Sequence, residues 1–228
     1  MSQLLENEIN LVPSNKVGNG NQLFPVFIKL NELNTLLIGG GNVGLEKLNA
    51  ILNNSQVAKI KVVANNICDQ IHDLCKRYPQ VVLLQKSFEP SDMEGMQLVI
   101  AATNDNILNE SIRKAAHERN LLVNIADKPS LCDFYLGSIV QKGDLKIAIS
   151  TNGKSPTIAK RVKEVLAESI PNELDQTLQQ MSLLRDKLQG DFTEKVRKLN
   201  AVTASLVTTP EHNKIKVNFK WLIWFAII

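Results

Sequence analysis

The sequence predicts an α/β fold: a mostly parallel sheet with helices on its faces, followed by a β-hairpin and a small helical region. Short apolar runs of strand length alternate with helical patterns from Phe24 to about Ile125. A glycine-rich turn follows the first clear run. After Pro129 the alternation stops, and two strand-like runs joined by a short turn precede several helical patterns.

The first strand is predicted at Thr35–Ile38, and it leads directly into glycines spaced as G-x-G-x-x-G at Gly39, Gly41 and Gly44. In a dinucleotide-binding turn the first glycine permits a tight turn and the second leaves room for a pyrophosphate. The third lets the next helix lie close to the sheet. The pattern alone is a weak signal, since a structural glycine turn has the same appearance.

The flanking elements support the nucleotide interpretation. Apolar residues recur at helical spacing after Gly44, and Ile60–Ala64 is predicted to be a second buried strand. We therefore predict a Rossmann domain that binds NAD. Asn42 and Val43 join the three glycines as predicted cofactor contacts, because the amides that open the helix face the phosphates.

One position departs from the dinucleotide pattern. An acidic residue is expected about 20 positions after the glycines, at the end of the second strand, but Asn65 stands there. Its amide can bond a ribose hydroxyl, although it does not repel a 2′-phosphate as a carboxylate would. We predict NAD rather than NADP, with Asn65 as a cofactor contact.

Further strands and their loops extend the predicted site. In a doubly wound sheet the ligand lies outside the carboxyl ends of the strands. The turn after the fourth strand contributes Thr103 and Asn104 as cofactor contacts, and the end of the fifth strand places Asp127 at the same edge. The third to fifth strands are predicted at Val81–Leu84, Leu98–Ala102 and Leu121–Ile125.

The second part of the chain follows a different pattern. A hairpin is predicted from Tyr135–Val140 and Leu145–Ser150, and Ser155 caps a helix that begins with Pro156. A hairpin and one amphipathic helix cannot close a core alone, so we predict a homodimer. The predicted divisions are a disordered leader at 1–22, the NAD-binding domain at 23–135, a dimerisation region at 136–171, helices at 172–207 and a tail at 208–228.

Composition excludes several classes of protein. The 228 residues are 44% hydrophobic and 21% charged, and the net charge of +3 is too small to support nucleic-acid binding. Three dispersed cysteines indicate reduced thiols in a cytoplasmic protein. The Cys and His spacing shows no ligand cluster, so no metal-binding residue is assigned.

The end of the chain is basic and then apolar. Residues 214–228 include three lysines followed by an apolar run of eight residues, whereas a membrane-spanning helix needs about 20. Three alternatives stay open: the tail packs on the dimer, lies at a membrane interface, or is the start of a longer membrane anchor.

Five motifs occur in a fixed order along the chain. They are Phe24-Pro25-Val26-Phe27, Gly39-Gly40-Gly41-Asn42-Val43-Gly44, Ala101-Ala102-Thr103-Asn104, Asn124-Ile125-Ala126-Asp127 and Ser150-Thr151-Asn152-Gly153-Lys154-Ser155-Pro156. In this order the chain resembles the precorrin-2 dehydrogenase/sirohydrochlorin ferrochelatase family, the enzymes that complete siroheme. The resemblance extends from about Leu23 to Leu206. Its glycine motif is common, but the combination with the later motifs is specific.

The resemblance implies an NAD-linked oxidation of precorrin-2 to sirohydrochlorin, sometimes followed by insertion of Fe²⁺, a substrate, by the same protein. It matches Asp127 to the aspartate that such enzymes use for both steps, and Thr151 to a position near the active site. Two departures are Gly137, where several members carry proline, and Gly44, where many carry alanine.

The predicted reaction needs a general base that accepts a proton and a positively charged site that binds the substrate. Asp127 is the candidate general base, with a loop-capping role as the alternative. A tetrapyrrole polycarboxylate requires cations, and six of them lie between Lys142 and Lys163 against one aspartate. The predicted substrate contacts are Lys142, Thr151, Lys154 and Ser155; a solvated basic helix face is the alternative for the cations.

Two other functions compete with this one. An NAD-sensing regulatory module of a membrane transport system would suit the apolar tail, but it predicts an acidic residue at Asn65 and no need for Asp127. A dehydrogenase acting on an unrelated small acid is disfavoured because no His or Lys stands in an obvious catalytic motif.

Overall fold

The structure, a computed structural model, describes residues 20–203 apart from the side chain of Val202. Strands and helices alternate through the first part of this segment, and helices predominate in the last part. Two single 3₁₀ turns lie at Pro90–Met93 and Pro129–Leu131. The elements in order are β1 Asn34–Gly40, α1 Asn42–Asn54, β2 Lys59–Ile67, α2 Asp69–Arg77, β3 Val81–Gln85, β4 Leu98–Ala101, α3 Asn106–His117, β5 Leu122–Ile125, β6 Ser138–Lys142, β7 Leu145–Ile149, α4 Pro156–Ser169, α5 Leu174–Lys187 and α6 Phe192–Thr203.

The first five strands form one parallel sheet in the order β3-β2-β1-β4-β5. This is the strand order of a Rossmann fold, in which the chain reverses direction across the sheet between β1 and β4. All five carboxyl ends lie at one edge. The predicted fold class is confirmed, and the edge between β1 and β4 is where a dinucleotide is expected.

Two apolar layers cover the sheet. On one face, Leu37 and Ile100 pack with Leu48 of α1 and Ile71 of α2. On the other face, strand residues that include Leu36 pack with a second set of apolar side chains from α3. Because both faces are buried, the central strands are continuous apolar runs, and their ends are held rigidly.

The strand boundaries differ from prediction at the edge that matters for function. β1 runs through Gly40, and β2 continues past Ala64 to Ile67, so Asn65 lies within a strand rather than beyond it. Gly40 pairs with Ile67 after a register shift, so the backbone pairing of β1 with β2 continues beyond Asn65. The side chain of Asn65 is exposed. Because Asn65 is polar, the apolar pattern of the sequence did not indicate that the strand continues through it.

The second part also begins later than predicted. β6 starts at Ser138 rather than Tyr135, because Tyr135 and Leu136 precede the pairing and remain exposed. The described residues divide into two compact units: 20–138 together with Ala148–Val162, and Ile139–Ile147 together with 163–203. In the second unit the Asp175 carboxylate accepts a hydrogen bond from the amide of Asp144 at 2.8 Å.

Several predictions fall outside the described residues: most of the leader at 1–22, the end of the last predicted helix and the tail at 208–228. No helix within residues 20–203 is long and apolar enough to cross a membrane. The three cysteines, which all lie in this range, are free, in agreement with the expectation of reduced thiols.

Candidate active site

The glycine turn is tightly packed except at one position. A Cβ atom at Gly39 would collide with the carbonyl oxygen of Ala102, and one at Gly44 would collide with the carbonyl oxygen of Gly39. Gly39 also has a φ of 118°, which favours glycine. Gly41, by contrast, has open space around its Cβ position. The turn therefore provides the gap that a pyrophosphate needs, at the glycine where the motif places it.

The helix behind this turn presents free amides. α1 begins at Asn42, and its N-cap Gly41 has no side chain to accept a hydrogen bond from the first turn. That turn also has no acidic residue. The first amides of an α-helix lack partners within the helix and carry partial positive charge. The turn and the start of α1 thus fit the phosphates of a dinucleotide.

A cleft of about 210 Å³ adjoins the turn at the carboxyl edge of the sheet. Three of the predicted cofactor contacts, Gly39, Asn65 and Thr103, line it. Other lining residues were not assigned to the site from the sequence, among them Lys86, Phe88 and Leu108. The loop after β3, which carries Lys86 and Phe88, is therefore part of the site.

Asn65 is held in place by the loop after β3. Its side-chain oxygen accepts a hydrogen bond from the Ser87 hydroxyl at 2.8 Å. Its backbone carbonyl oxygen accepts one from the side-chain amide of Gln85 at 3.3 Å. With the oxygen engaged by Ser87, the amide NH₂ group is left to donate. A ribose hydroxyl can accept that bond.

A buried asparagine organises the turn after β4. The Thr103 hydroxyl donates to the side-chain oxygen of Asn109 at 2.7 Å, and the Asn109 amide donates to the Thr103 carbonyl oxygen at 3.1 Å. Asn109 is fully buried. The N-cap Asp105 accepts from the amide of Leu108 at 3.0 Å. Asn104 stays exposed on this turn.

Asp127 occupies a turn at the end of β5. The amide of Lys128 donates to the carbonyl oxygen of Ile125 at 3.2 Å, so the chain turns through Ala126 and Asp127. Asp127 has a φ of 59°. A positive φ at this position is characteristic of a type II turn, where Gly or Asn is preferred. The Asp127 side chain is exposed and has no hydrogen-bond or ion-pair partner among the described residues.

The Cys132 thiol contacts the backbone of this turn. Cys132 Sγ accepts from the amide of Ile125 at 3.2 Å and lies 3.1 Å and 3.2 Å from the carbonyl oxygens of Ile125 and Lys128. Burial raises the pKa of the Cys132 thiol from its ordinary value. The neutral thiol is therefore a fixed donor that holds the turn carrying Asp127.

Asp133 closes the same loop. Its carboxylate accepts from the amide of Val123 at 3.0 Å and pairs with His117 Nε2 at 2.9 Å. Its own amide donates to the carbonyl oxygen of Val123 at 2.8 Å. The loop from β5 to Asp133 is thus pinned at both ends, and Asp127 lies on a defined turn.

The predicted substrate residues of the first unit form a compact turn. The Thr151 hydroxyl accepts from the amide of Ser155 at 3.2 Å and donates to its carbonyl oxygen at 3.1 Å. The Ser155 hydroxyl accepts from the amide of Ile158 at 3.2 Å, so Ser155 caps α4 as predicted. Both hydroxyls therefore have local structural roles. Lys154 is exposed in the same turn.

Lys142 belongs to the other compact unit. Its ammonium group donates to the side-chain oxygen of Asn172 at 2.7 Å. The four predicted substrate residues are thus divided between the two units. Across the described residues there is no group of three or more His, Cys, Asp or Glu side chains that could hold a metal ion.

Two family models match the chain in sequence order. Residues 26–138 match a family described as "Putative NAD(P)-binding", and residues 142–169 match the "Sirohaem biosynthesis protein central" family. The predicted NAD-binding domain is thereby confirmed. The second match begins where the alternating pattern has given way to the hairpin and helices.

Several relatives of the chain are named siroheme synthases. The chain is 37% identical over 187 residues to a siroheme synthase of Pseudoalteromonas atlantica, covering 80% of this chain and 37% of that protein. It is 37% identical over 150 residues to one of Buchnera aphidicola, covering 66% and 31%. The chain thus spans about a third of the length of these relatives.

A solved structure shares the fold. The structure of SirC, a precorrin-2 dehydrogenase, superposes with a TM-score of 0.64 at 22% identity. The match covers 90% of this chain and 98% of that one. The order of elements in this chain, including those after the parallel sheet, therefore has a counterpart in a protein of known structure.

Proposed function

Because the chain belongs to the precorrin-2 dehydrogenase/sirohydrochlorin ferrochelatase family, which forms the N-terminal region of siroheme synthases, we propose that it oxidises precorrin-2 to sirohydrochlorin with NAD. The observation that carries the proposal is an exposed, unpartnered Asp127 on a pinned turn, at the same sheet edge as the glycine turn.

The chain's own residues supply the cofactor site. The turn of Gly39, Gly41 and Gly44, with the amides at Asn42 and Val43, would hold the pyrophosphate, and Asn65 would donate to the adenosine ribose. Thr103, which lines the cleft, and Asn104 on the same turn would contact the rest of the cofactor. Bound NAD supplies the acceptor for the hydride that the substrate loses.

Asp127 acts as the general base. Oxidation extends the conjugation of the macrocycle only if a proton leaves as well, and a carboxylate without a competing partner is available to take it. The positive φ of Asp127 costs conformational energy that Gly would avoid. The pinned loop, with the Cys132 thiol beneath it, holds that conformation.

Cations orient the substrate. Precorrin-2 carries several carboxylates, and Lys154 and Lys142 pair with them. The hydroxyls of Thr151 and Ser155 shape the turn that presents Lys154. The segment 136–171 is proposed to form the interface of a homodimer.

Iron insertion stays a prediction that rests on the family alone. Asp127 would take the pyrrole protons in that reaction too. Fe²⁺ added to sirohydrochlorin and protein, followed by the appearance of siroheme absorbance, tests this second activity separately from the first.

The test of the main proposal is direct. The purified full chain is incubated with precorrin-2 and NAD⁺ under anaerobic conditions, and sirohydrochlorin and NADH are followed together. We expect the two products in equal amounts. NAD⁺ binding without turnover would contradict the proposal and favour a sensing module.

A further inference from the structure

Lys86 lies at the adenosine end of the cofactor cleft. It lines the cleft together with Asn65 and Asn66, on the loop after β3. The neighbouring Ser87 holds the Asn65 side chain at 2.8 Å. This is the place where the end of β2 meets the ribose in a Rossmann fold, and where a 2′-phosphate would lie.

The ammonium group of Lys86 is occupied by two carboxylates. It pairs with Glu89 Oε2 and with Asp92 Oδ1, each at 3.0 Å. The hydrogen bonds to Glu89 and then Asp92 raise the pKa of Lys86, so it is charged. Asp92 is buried, and its other carboxylate oxygen accepts from the Glu89 amide at 2.9 Å.

The cluster of Lys86, Glu89 and Asp92 therefore carries one positive and two negative charges. A second lysine, Lys61, donates to the carbonyl oxygen of Asp92 at 3.2 Å. Lys61 precedes Asn65 by four strand positions, roughly 13 Å. Its ammonium group nevertheless lies against Asp92, so the two lysines and the two carboxylates balance in charge.

We propose that the Lys86–Glu89–Asp92 cluster determines the preference for NAD over NADP. The carboxylate that is absent at Asn65 is replaced in function by two carboxylates from the next loop. They pair with Lys86, whose ammonium group would otherwise attract a 2′-phosphate. A ribose 2′-hydroxyl is uncharged and needs no such cation.

This inference rests on the dinucleotide-binding part of the proposed function and not on the precorrin-2 step. Its readout is therefore equilibrium binding. If precorrin-2 is not oxidised while the binding preference stands, the proposed reaction fails and this inference survives.

The experiment compares the dissociation constants of NAD⁺ and NADP⁺ for the purified full chain by isothermal titration calorimetry at low salt. The central variant is Glu89→Gln, which removes one negative charge and keeps the side chain's size. The matched control is Glu32→Gln. Glu32 forms the same i,i+3 pair with Lys29, at 3.1 Å, but it precedes β1 at the opposite edge of the sheet.

We expect the wild-type protein to bind NAD⁺ more tightly than NADP⁺. Glu89→Gln should strengthen NADP⁺ binding relative to NAD⁺ binding by about two- to fivefold, the scale of a partly exposed ion pair. Lys86→Gln should weaken NADP⁺ binding relative to NAD⁺ binding, and Glu32→Gln should leave the ratio of the two dissociation constants unchanged. Added salt should bring the two dissociation constants of the wild-type protein closer together.

Three results would overturn the inference. One is wild-type protein that binds NADP⁺ at least as tightly as NAD⁺. Another is a ratio of the two dissociation constants in Glu89→Gln equal to that of wild type, and the third is a wild-type ratio that does not respond to salt. The salt titration needs no variant, so it decides the matter even where a substitution impairs folding.

Discussion

The side chain of Asn109 and the residue Thr103 bond each other twice, through the Thr103 hydroxyl at 2.7 Å and the Thr103 carbonyl oxygen at 3.1 Å. This pair joins the buried face of α3 to the turn after β4, which lines the cofactor cleft. A polar residue on the apolar side of a helix thus supports the site without facing the cofactor.

Asn109→Ala should lower both stability and NAD⁺ affinity. The substitution leaves the Thr103 carbonyl oxygen without its partner in a buried environment, which costs about 1–3 kcal/mol in the free energy of unfolding. Urea denaturation measures this loss, and calorimetry measures the affinity. Asn106→Ala, at an exposed position of the same helix, serves as control; equal effects from both variants would contradict the role given to Asn109.

Two glycines of one motif should respond differently to alanine. Gly41→Ala should raise the dissociation constant of NAD⁺ about tenfold, or about 1.4 kcal/mol, with the thermal midpoint unchanged, because its Cβ enters open space. Gly44→Ala should lower the midpoint, because its Cβ meets the carbonyl oxygen of Gly39. Wild-type NAD⁺ affinity in Gly41→Ala would argue against a pyrophosphate at this turn.

Substitutions at two neighbouring residues of the turn before α4 should have different effects, one on stability and the other on substrate binding. Ser155→Ala removes the helix cap and should cost about 0.5–2 kcal/mol of stability. Lys154→Gln should raise the KM for precorrin-2 without changing stability or NAD⁺ affinity. Steady-state kinetics and urea denaturation of both variants test the distinction, and an unchanged KM in Lys154→Gln would leave the lysine as a solvated surface charge.

Cys132 should make the protein sensitive to alkaline pH. Burial raises the pKa of this thiol above its ordinary value of 9.0. The folded state then keeps its proton where the unfolded state loses it, so stability is complete below pH 9 and declines as pH rises through the folded pKa. As pH rises above 9, the thermal midpoint should fall less steeply in Cys132→Ala than in the wild-type protein. The same dependence on pH in both proteins would contradict the prediction.

Local patterns in the sequence predicted the sheet and the glycine turn well. The apolar runs of β1 and β4 and the glycine spacing report directly on buried strands and on close packing. Asp127 lies just after the fifth strand, as the strand pattern placed it, although its left-handed conformation was not foreseen and its role stays a prediction. Ser155 was predicted as a cap because capping depends on only a few adjacent residues.

Features that depend on distant partners were not predicted. Asn109 was not singled out from the sequence, because its role depends on its partner Thr103, which precedes the helix. Lys86 is paired by Glu89 and Asp92 within one loop, but its place beside Asn65 follows from the pairing of β2 with β3. The extension of β2 through Asn65 was hidden because backbone pairing, not apolar burial, maintains it.

The rate of sirohydrochlorin formation by Asp127→Asn tests the central claim most directly. Asparagine tolerates a positive φ, so the turn and NAD⁺ binding should be retained while the base is lost. With NAD⁺ binding verified for each protein and the exposed Glu110→Gln as control, we predict a turnover at least about a hundredfold below wild type. A rate equal to that of the wild-type protein would contradict the assignment of Asp127 as the base.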